Sequence, residues 1–267
     1  ANGRCHVCNT FSYDGAGNVL TRKTYGNLTG GGFAQIDFDR EGMPLSSSEE
    51  ECFSKTFTYT SDGRNLLLTE EDSKGTIVRY GYLEGTNLLA SKLYFSKKGS
   101  SKTLKREFYD YDSFKNLVEV IVDDGEEIKK SSAYGITQRF TTLVDYSTSS
   151  NSFGLPSEIT KTGWNRKETE RIHRTVLDYD DFGNLKSQSL YGQTDEHPKV
   201  KTFEYNSENL LEAYSDSEGN HQTFGYDPLN RVQSIPDHLK GLIYTHTYGP
   251  LNTLVQEEIT ASSGKSL

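Results

Sequence analysis

"LDYDDFGNL", residues 177–185, holds the reading of the whole chain. An apolar residue stands two before a tyrosine, an aspartate follows, and a glycine–asparagine pair leads into a leucine. Residues two apart on a strand share a face, so Leu177 and Tyr179 form one small apolar patch. Asp180 can accept hydrogen bonds from turn amides, and Gly183 supplies a position of positive φ. The stretch therefore reads as strand, tight turn, strand. Its consequence depends on whether it recurs.

Aligned on that tyrosine, the chain answers at ten positions: Tyr13, Phe38, Tyr59, Tyr82, Tyr111, Tyr146, Tyr179, Tyr205, Tyr226 and Tyr248. Their separations are 25, 21, 23, 29, 35, 33, 26, 21 and 22 residues, the signature of a repeat array. Two before each anchor stand Phe11, Ile36, Phe57, Tyr80, Tyr109, Val144, Leu177, Phe203, Phe224 and His246, nearly all apolar or aromatic. Four after it, Gly17, Gly42, Gly63, Gly183, Asn209, Asn230 and Asn252 are residue types that most readily enter the left-handed region. Six after it come Val19, Leu88, Leu117, Leu185, Leu211, Val232 and Leu254, where the second strand should begin. Asp14, Asp39, Asp112, Asp180 and Asp227 follow their anchors directly, as does Asn206. Each copy thus predicts a hairpin closed by a turn with one left-handed residue late in the loop. The copies at Tyr82, Tyr111 and Tyr146 lack Gly or Asn at that place but carry Asn87, Asn116 and Asn151 one residue later, which predicts loops one residue longer or, at Tyr146, a degenerate copy. The predicted fold is all-β: about ten hairpin repeats in a curved ribbon, one continuous array over 1–267 with an irregular middle at 125–170.

Composition agrees with a thin folded architecture. Only 33% of the 267 residues are hydrophobic and mean hydropathy is −0.70, yet aromatics reach 12% with 17 Tyr and 13 Phe. A disordered acidic chain seldom carries so many rings. The net charge of −9 excludes the basic surface that phosphate backbones require, so nucleic acid is not an expected partner. No apolar run approaches the length of a membrane-spanning helix.

Chemistry is sparse. The sequence has no G-x-S-x-G, H-E-x-x-H or phosphate-binding glycine loop, and "TGGGF" (29–33) is not followed by a helix that could cradle phosphate. Cys5 and Cys8 bracket His6 in a C-x-x-C, but a closed zinc site needs four ligands and no second pair exists. "DFDREG" (37–42) imitates a calcium loop, although its twelfth position is Ser48 rather than a bidentate glutamate, and the repeat turn explains the same letters. No catalytic residue, metal or cofactor is assigned.

The pattern aromatic-x-Tyr-Asp-x-x-Gly-Asn/Arg-Leu resembles the YD repeat of the Rhs family, found in bacterial polymorphic toxins, insecticidal toxin-complex shells and animal teneurins. "FSYDGAGNVL" (11–20), "LDYDDFGNL" and "FGYDPLNRV" (224–232) carry it most clearly, and the resemblance spans about residues 9–255. It implies a hairpin array that spirals into part of a hollow β-shell, enclosing or presenting a C-terminal toxin or effector of the same polypeptide. It further implies a secreted or cell-surface bacterial protein, with this chain a fragment of something longer, while the lack of a catalytic motif leaves enzymatic activity unexpected. The rival expectation is a surface module whose aromatic and carboxamide groups hold glycans or a partner protein. A weaker one is an enzyme sited in 125–170. In the leading reading Tyr13, Tyr59, Tyr82, Tyr111, Tyr179, Tyr205, Tyr226 and Tyr248 are buried scaffold anchors, and the seven Gly and Asn positions are turn residues.

Overall fold

A computed structural model describes residues 7–26, 28, 36–45, 52–194 and 196–262. Cys5, His6, Ser48 and the glycine run lie outside them. The protein is all-β: the described residues form nineteen antiparallel strands in one sheet and a single 3₁₀ turn at Pro250–Asn252.

The chain divides into two compact units, Ala1–Tyr111 with Glu119–Phe140, and Asp112–Val118 with Thr141–Leu267. The first holds β1 (Val7–Tyr13), β2 (Val19–Gly26), β3 (Cys52–Tyr59), β4 (Leu67–Asp72), β5 (Ile77–Tyr82), β6 (Leu89–Phe95), β7 (Thr103–Tyr111) and most of β8 (Leu117–Asp123). Strands β1 to β7 pair in chain order, as local turns make easiest. The second unit holds most of β9 (Arg139–Tyr146), then β10 (Pro156–Trp164), β11 (Thr169–Tyr179), β12 (Leu185–Tyr191), β13 (Lys199–Tyr205) and β14 (Leu211–Asp216). It continues through β15 (His221–Thr223), β16 (Gly225–Tyr226), β17 (Val232–Asp237), β18 (Leu242–Tyr248) and β19 (Leu254–Ala261), pairing in order except that β15 and β16 both pair with β17.

Two expectations need correction. The Phe38 copy is no member of the strand series: β2 pairs directly with β3, and Phe38 makes only an isolated bridge to Pro44 in an excursion between them. Its Asp39 still closes a small turn, accepting from the amides of Glu41 at 3.0 Å and Met43 at 2.7 Å. The loops of the middle copies are not uniformly longer by one residue. Tyr82 faces Leu89 rather than a residue one earlier, so that loop is one longer and Leu88 lies inside it. The Tyr111 loop has ordinary length, and Lys115 itself adopts φ 69°. After Tyr146 the amide of Ser147 bonds the carbonyl of Leu155, a loop four residues longer than that closed by Asp14 and Asn18.

Burial is concentrated in the first unit. Ile77, Phe95, Phe108, Ile121 and Ile136 are buried there, with Arg106 and Asp123 among them. Residues 124–138, between β8 and β9, carry no strand, and Glu127–Lys129 approach Phe95 and Arg79 across a cavity of about 420 Å³.

Candidate functional site: the tyrosine ladder and the buried arginine

The anchors do one thing repeatedly. In hairpin after hairpin the register slips beside the tyrosine: Tyr13 faces Val19 but Ser12 faces Thr21, which leaves Leu20 unpaired. The same bulge recurs at Tyr59–Leu67, Tyr82–Leu89, Tyr179–Leu185, Tyr205–Leu211, Tyr226–Val232 and Tyr248–Leu254. A bulge disrupts the ladder locally, and the carbonyl facing the anchor then needs another donor. The next repeat provides it.

The Tyr59 hydroxyl donates to the Val19 carbonyl at 2.9 Å, Tyr82 to Leu67 at 2.9 Å and Tyr111 to Leu89 at 3.0 Å. In the second unit Tyr146 donates to Leu117 at 2.9 Å, Tyr179 to Pro156 at 2.7 Å and Tyr205 to Leu185 at 3.1 Å. Tyr226 donates to Leu211 at 2.8 Å and Tyr248 to Val232 at 2.7 Å. Each anchor therefore clasps the hairpin before its own. Tyr146 joins the anchors, although its surroundings in sequence are the least regular. All eight rings are half-buried, whereas Tyr13 is 58% exposed, contrary to the expectation that every anchor is buried.

The turns are built by their aspartates. Asp180 Oδ1 accepts from the amides of Phe182 at 2.9 Å and Asn184 at 2.8 Å, while Oδ2 accepts from Asn184 Nδ2 at 3.0 Å. Asp14 with Asn18 and Asp112 with Asn116 repeat this clamp, so Asn116 is the clamp residue and not a displaced left-handed one. Gly17, Gly42, Gly63, Gly183, Asn209, Asn230 and Asn252 all have positive φ. Where Asn replaces Gly it also links turns: Asn184 Nδ2 donates to Asn209 Oδ1 at 3.3 Å, and Arg231 Nη1 to Asn252 Oδ1 at 3.0 Å. Gly183 has φ 83° and lies against the Asn151 carbonyl, 3.3 Å from where a Cβ would sit. Gly183→Ala should cost about 1–2 kcal/mol, the penalty of a left-handed L-residue, measured by urea unfolding.

Electrostatics follow from these bonds. The Asn220 side chain and the Tyr214 hydroxyl lower Asp216 to about 2, and Arg64 with Thr60 lowers Asp62 to about 2. Arg231 and Asn18 likewise lower Asp227 and Asp14. A carboxyl depressed in the folded state stabilises above its unfolded value and loses that contribution as pH falls through the folded one. The melting temperature should therefore drop between pH 3.8 and about 2, in a thermal scan against pH. Burial raises Tyr59, Tyr82, Tyr111, Tyr146, Tyr179, Tyr205 and Tyr226 above the ordinary 10.0. Their contribution is whole below that value and lost as pH rises through the folded values. Ladder tyrosinate absorbance should accordingly appear together with the loss of β circular dichroism, above pH 10.0.

A second constellation, invisible in the sequence, lies in the first unit. Arg106 is fully buried. Its Nε and Nη2 donate to the two Asp123 oxygens at 2.6 and 3.0 Å. Nη1 donates to the carbonyls of Glu127 at 2.6 Å and Lys129 at 3.0 Å, and Nη2 to that of Ser132 at 3.1 Å. Arg139 Nε adds a bond to Asp123 at 3.0 Å, and the Gly125 amide another at 3.0 Å. The bare backbone of Gly125 packs on the guanidinium, where a Cβ would fall 2.3 Å from Nη2. Every donor is used inward. The arrangement organises 124–138.

Two further turns escaped the reading from tyrosines. Asp72 accepts from Lys74 and Thr76, and Asp216 from Glu218 and Asn220, each with a left-handed glycine, Gly75 or Gly219. They connect β4 to β5 and β14 to β15, at the strand ends away from the ladder turns. The D-x-x-G spacing in "DSKGT" (72–76) and "DSEGN" (216–220) was the available signal.

Comparison with known proteins returns no matching family model and no matching curated protein. Solved structures are similar at low identity. A crystal structure of TcdB2-TccC3-Cdc42 is 13% identical over 96% of this chain, with a TM-score of 0.31. A Photorhabdus luminescens Tc holotoxin pore structure is 14% identical over 95%, with a TM-score of 0.29. A porin-like protein from Bacteroides uniformis is 11% identical over 94% of this chain and 86% of its own, with a TM-score of 0.26. The chain spans 17% and 16% of the lengths of the two toxin-complex chains.

Proposed function

We propose that this chain is a structural, non-enzymatic wall segment of the Rhs/YD-repeat family, part of a secreted or surface-displayed bacterial β-shell that encloses or presents a toxin or effector. The observation that carries the reading is the use made of the tyrosines. Eight tyrosine hydroxyls are spent on the backbone carbonyl of the preceding hairpin, so the repeated anchor side chain serves to join repeats. A ring whose hydroxyl is committed in this way and half-buried is a poor sugar platform, which weighs against the glycan-binding alternative. Repeat arrays stabilised by nearest-neighbour contacts suit extended walls.

The test is the intact mass of the native product in its source, with peptide mapping of both ends and protease digestion of the native particle. A polypeptide several times longer, whose C-terminal segment survives digestion until the shell is denatured, is the expected result. A native product near 30.0 kDa, or a C-terminal segment cut as fast in the native as in the denatured state, would overturn it.

A further inference from the structure

We propose that the cavity between Arg79 and residues 127–129 of the first unit is a binding site for a small organic monocarboxylate with an apolar body. The inference goes beyond the shell reading and does not depend on it. Its warrant begins with the basic residues of that unit. In a chain of net charge −9, Lys55, Lys98, Lys102, Lys105 and Lys130 each meet a carboxylate. Arg79 does not. Its cross-strand neighbours are Thr69 on β4 and Leu93 on β6, and no described carboxylate pairs with it. Its guanidinium lies instead over the Phe95 ring, 4.4 Å from the centroid. Phe95 is 1% exposed, so the ring serves as a fixed base for the cation. A guanidinium resting one face on a ring keeps its edge N–H groups free, in the plane that a carboxylate fork requires.

The opposite wall is held in place. Glu127, Ile128 and Lys129 line it, and Arg106 binds the carbonyls of Glu127 and Lys129 while Asp123 pins Arg106. A buried ion pair adds little net stability over well-packed apolar residues. What this one adds is position, and a wall fixed beforehand lowers the cost of binding. Ser100 and Ser101, between β6 and β7, complete the lining. Ser100 Oγ already donates to the Lys102 carbonyl at 3.0 Å, whereas Ser101 has no described partner. These groups select the ligand. Arg79 and Lys129 stand with one Glu127, a balance that suits a single negative charge better than the two of a phosphate ester. A volume of about 420 Å³ lies in the range of small-molecule sites and leaves room for a body behind the charge. Ile128, 55% exposed, offers that body an apolar contact.

Phenylacetate, titrated into the isotope-labelled chain and followed by amide chemical shifts, tests this. Saturable shifts at Ser101 and Ile128 are expected. Phenylacetamide, similar in shape but uncharged, should bind about tenfold more weakly, as for one lost charge-assisted hydrogen bond. Arg79→Gln should weaken phenylacetate by about the same factor. Its melting temperature should not change, because Arg79 is exposed. Arg79→Lys should recover only part of the loss, since an ammonium lacks the planar fork. The amide comparison uses the unaltered chain and stands whether or not a variant folds. Absence of saturable shifts at those two amides, phenylacetamide binding as well as phenylacetate, or binding indifferent to Arg79→Gln would overturn the proposal. So would inorganic phosphate producing the same shifts with equal affinity, which would mark an adventitious anion only.

Discussion

Arg106→Ala should lower the stability of the first unit by about 3–5 kcal/mol, because it strands a buried carboxylate and three carbonyls at once. Asp123 would keep Arg139 and the Gly125 amide, but the carbonyls of Glu127, Lys129 and Ser132 would lose their shared donor. Hydrogen exchange should therefore show residues 124–138 losing protection before the β-strands do. Arg106→Lys should recover little, since an ammonium cannot match two carboxylate oxygens and three carbonyls with one planar fork. Arg106→Met paired with Asp123→Leu separates the two contributions. It removes both charges and should regain part of the stability while leaving 124–138 loosely held. A loss under about 1 kcal/mol for Arg106→Ala would place this pair with exposed ion pairs, and the cluster would not be what organises the segment.

The contrast between this cluster and the ladder shows what a sequence can disclose. Turn chemistry is local: Asp180, Gly183 and Asn184 act on each other within five residues, so their spacing alone reveals the hairpin. Repetition then amplifies the signal. The tyrosine position was legible for the same reason, but not its hydroxyl's partner, which lies 15 to 40 residues away in the preceding hairpin. Phe38 exposes the limit. It has the aspartate and the glycine of a true copy, but a phenylalanine has no hydroxyl to clasp Val19, and Tyr59 reaches that carbonyl instead. Lys115 shows the reverse case, in which the Asp112–Asn116 clamp holds a residue of ordinary preference in the left-handed region. Arg106 left no trace at all. In "TLKREFYDY" it is one of two adjacent basic residues, and only the fold brings Asp123 and the loop carbonyls to it.

Tyr179→Ala should cost about 3 kcal/mol, the usual loss for a packed aromatic ring, and the informative comparison is with Tyr179→Phe. The phenylalanine keeps the ring over the sheet and removes only the donor to Pro156, whose carbonyl is then left without its partner. An orphaned acceptor costs about 1–3 kcal/mol when buried, and the half-exposed ladder face places this one near the lower end. Because stability in a repeat array is a sum of unit and neighbour terms, the loss should spread across the junction rather than stay in one hairpin. Hydrogen exchange should quicken in β9–β10 and in β11–β12 alike, the two hairpins that Tyr179 joins. Tyr13→Phe provides the reference. With no described acceptor, its hydroxyl contributes nothing to the single chain, and the change should stay within about 0.5 kcal/mol, as for an ordinary surface substitution. Equal effects at the two positions would mean that the rings alone hold the repeats together and that the clasp is incidental.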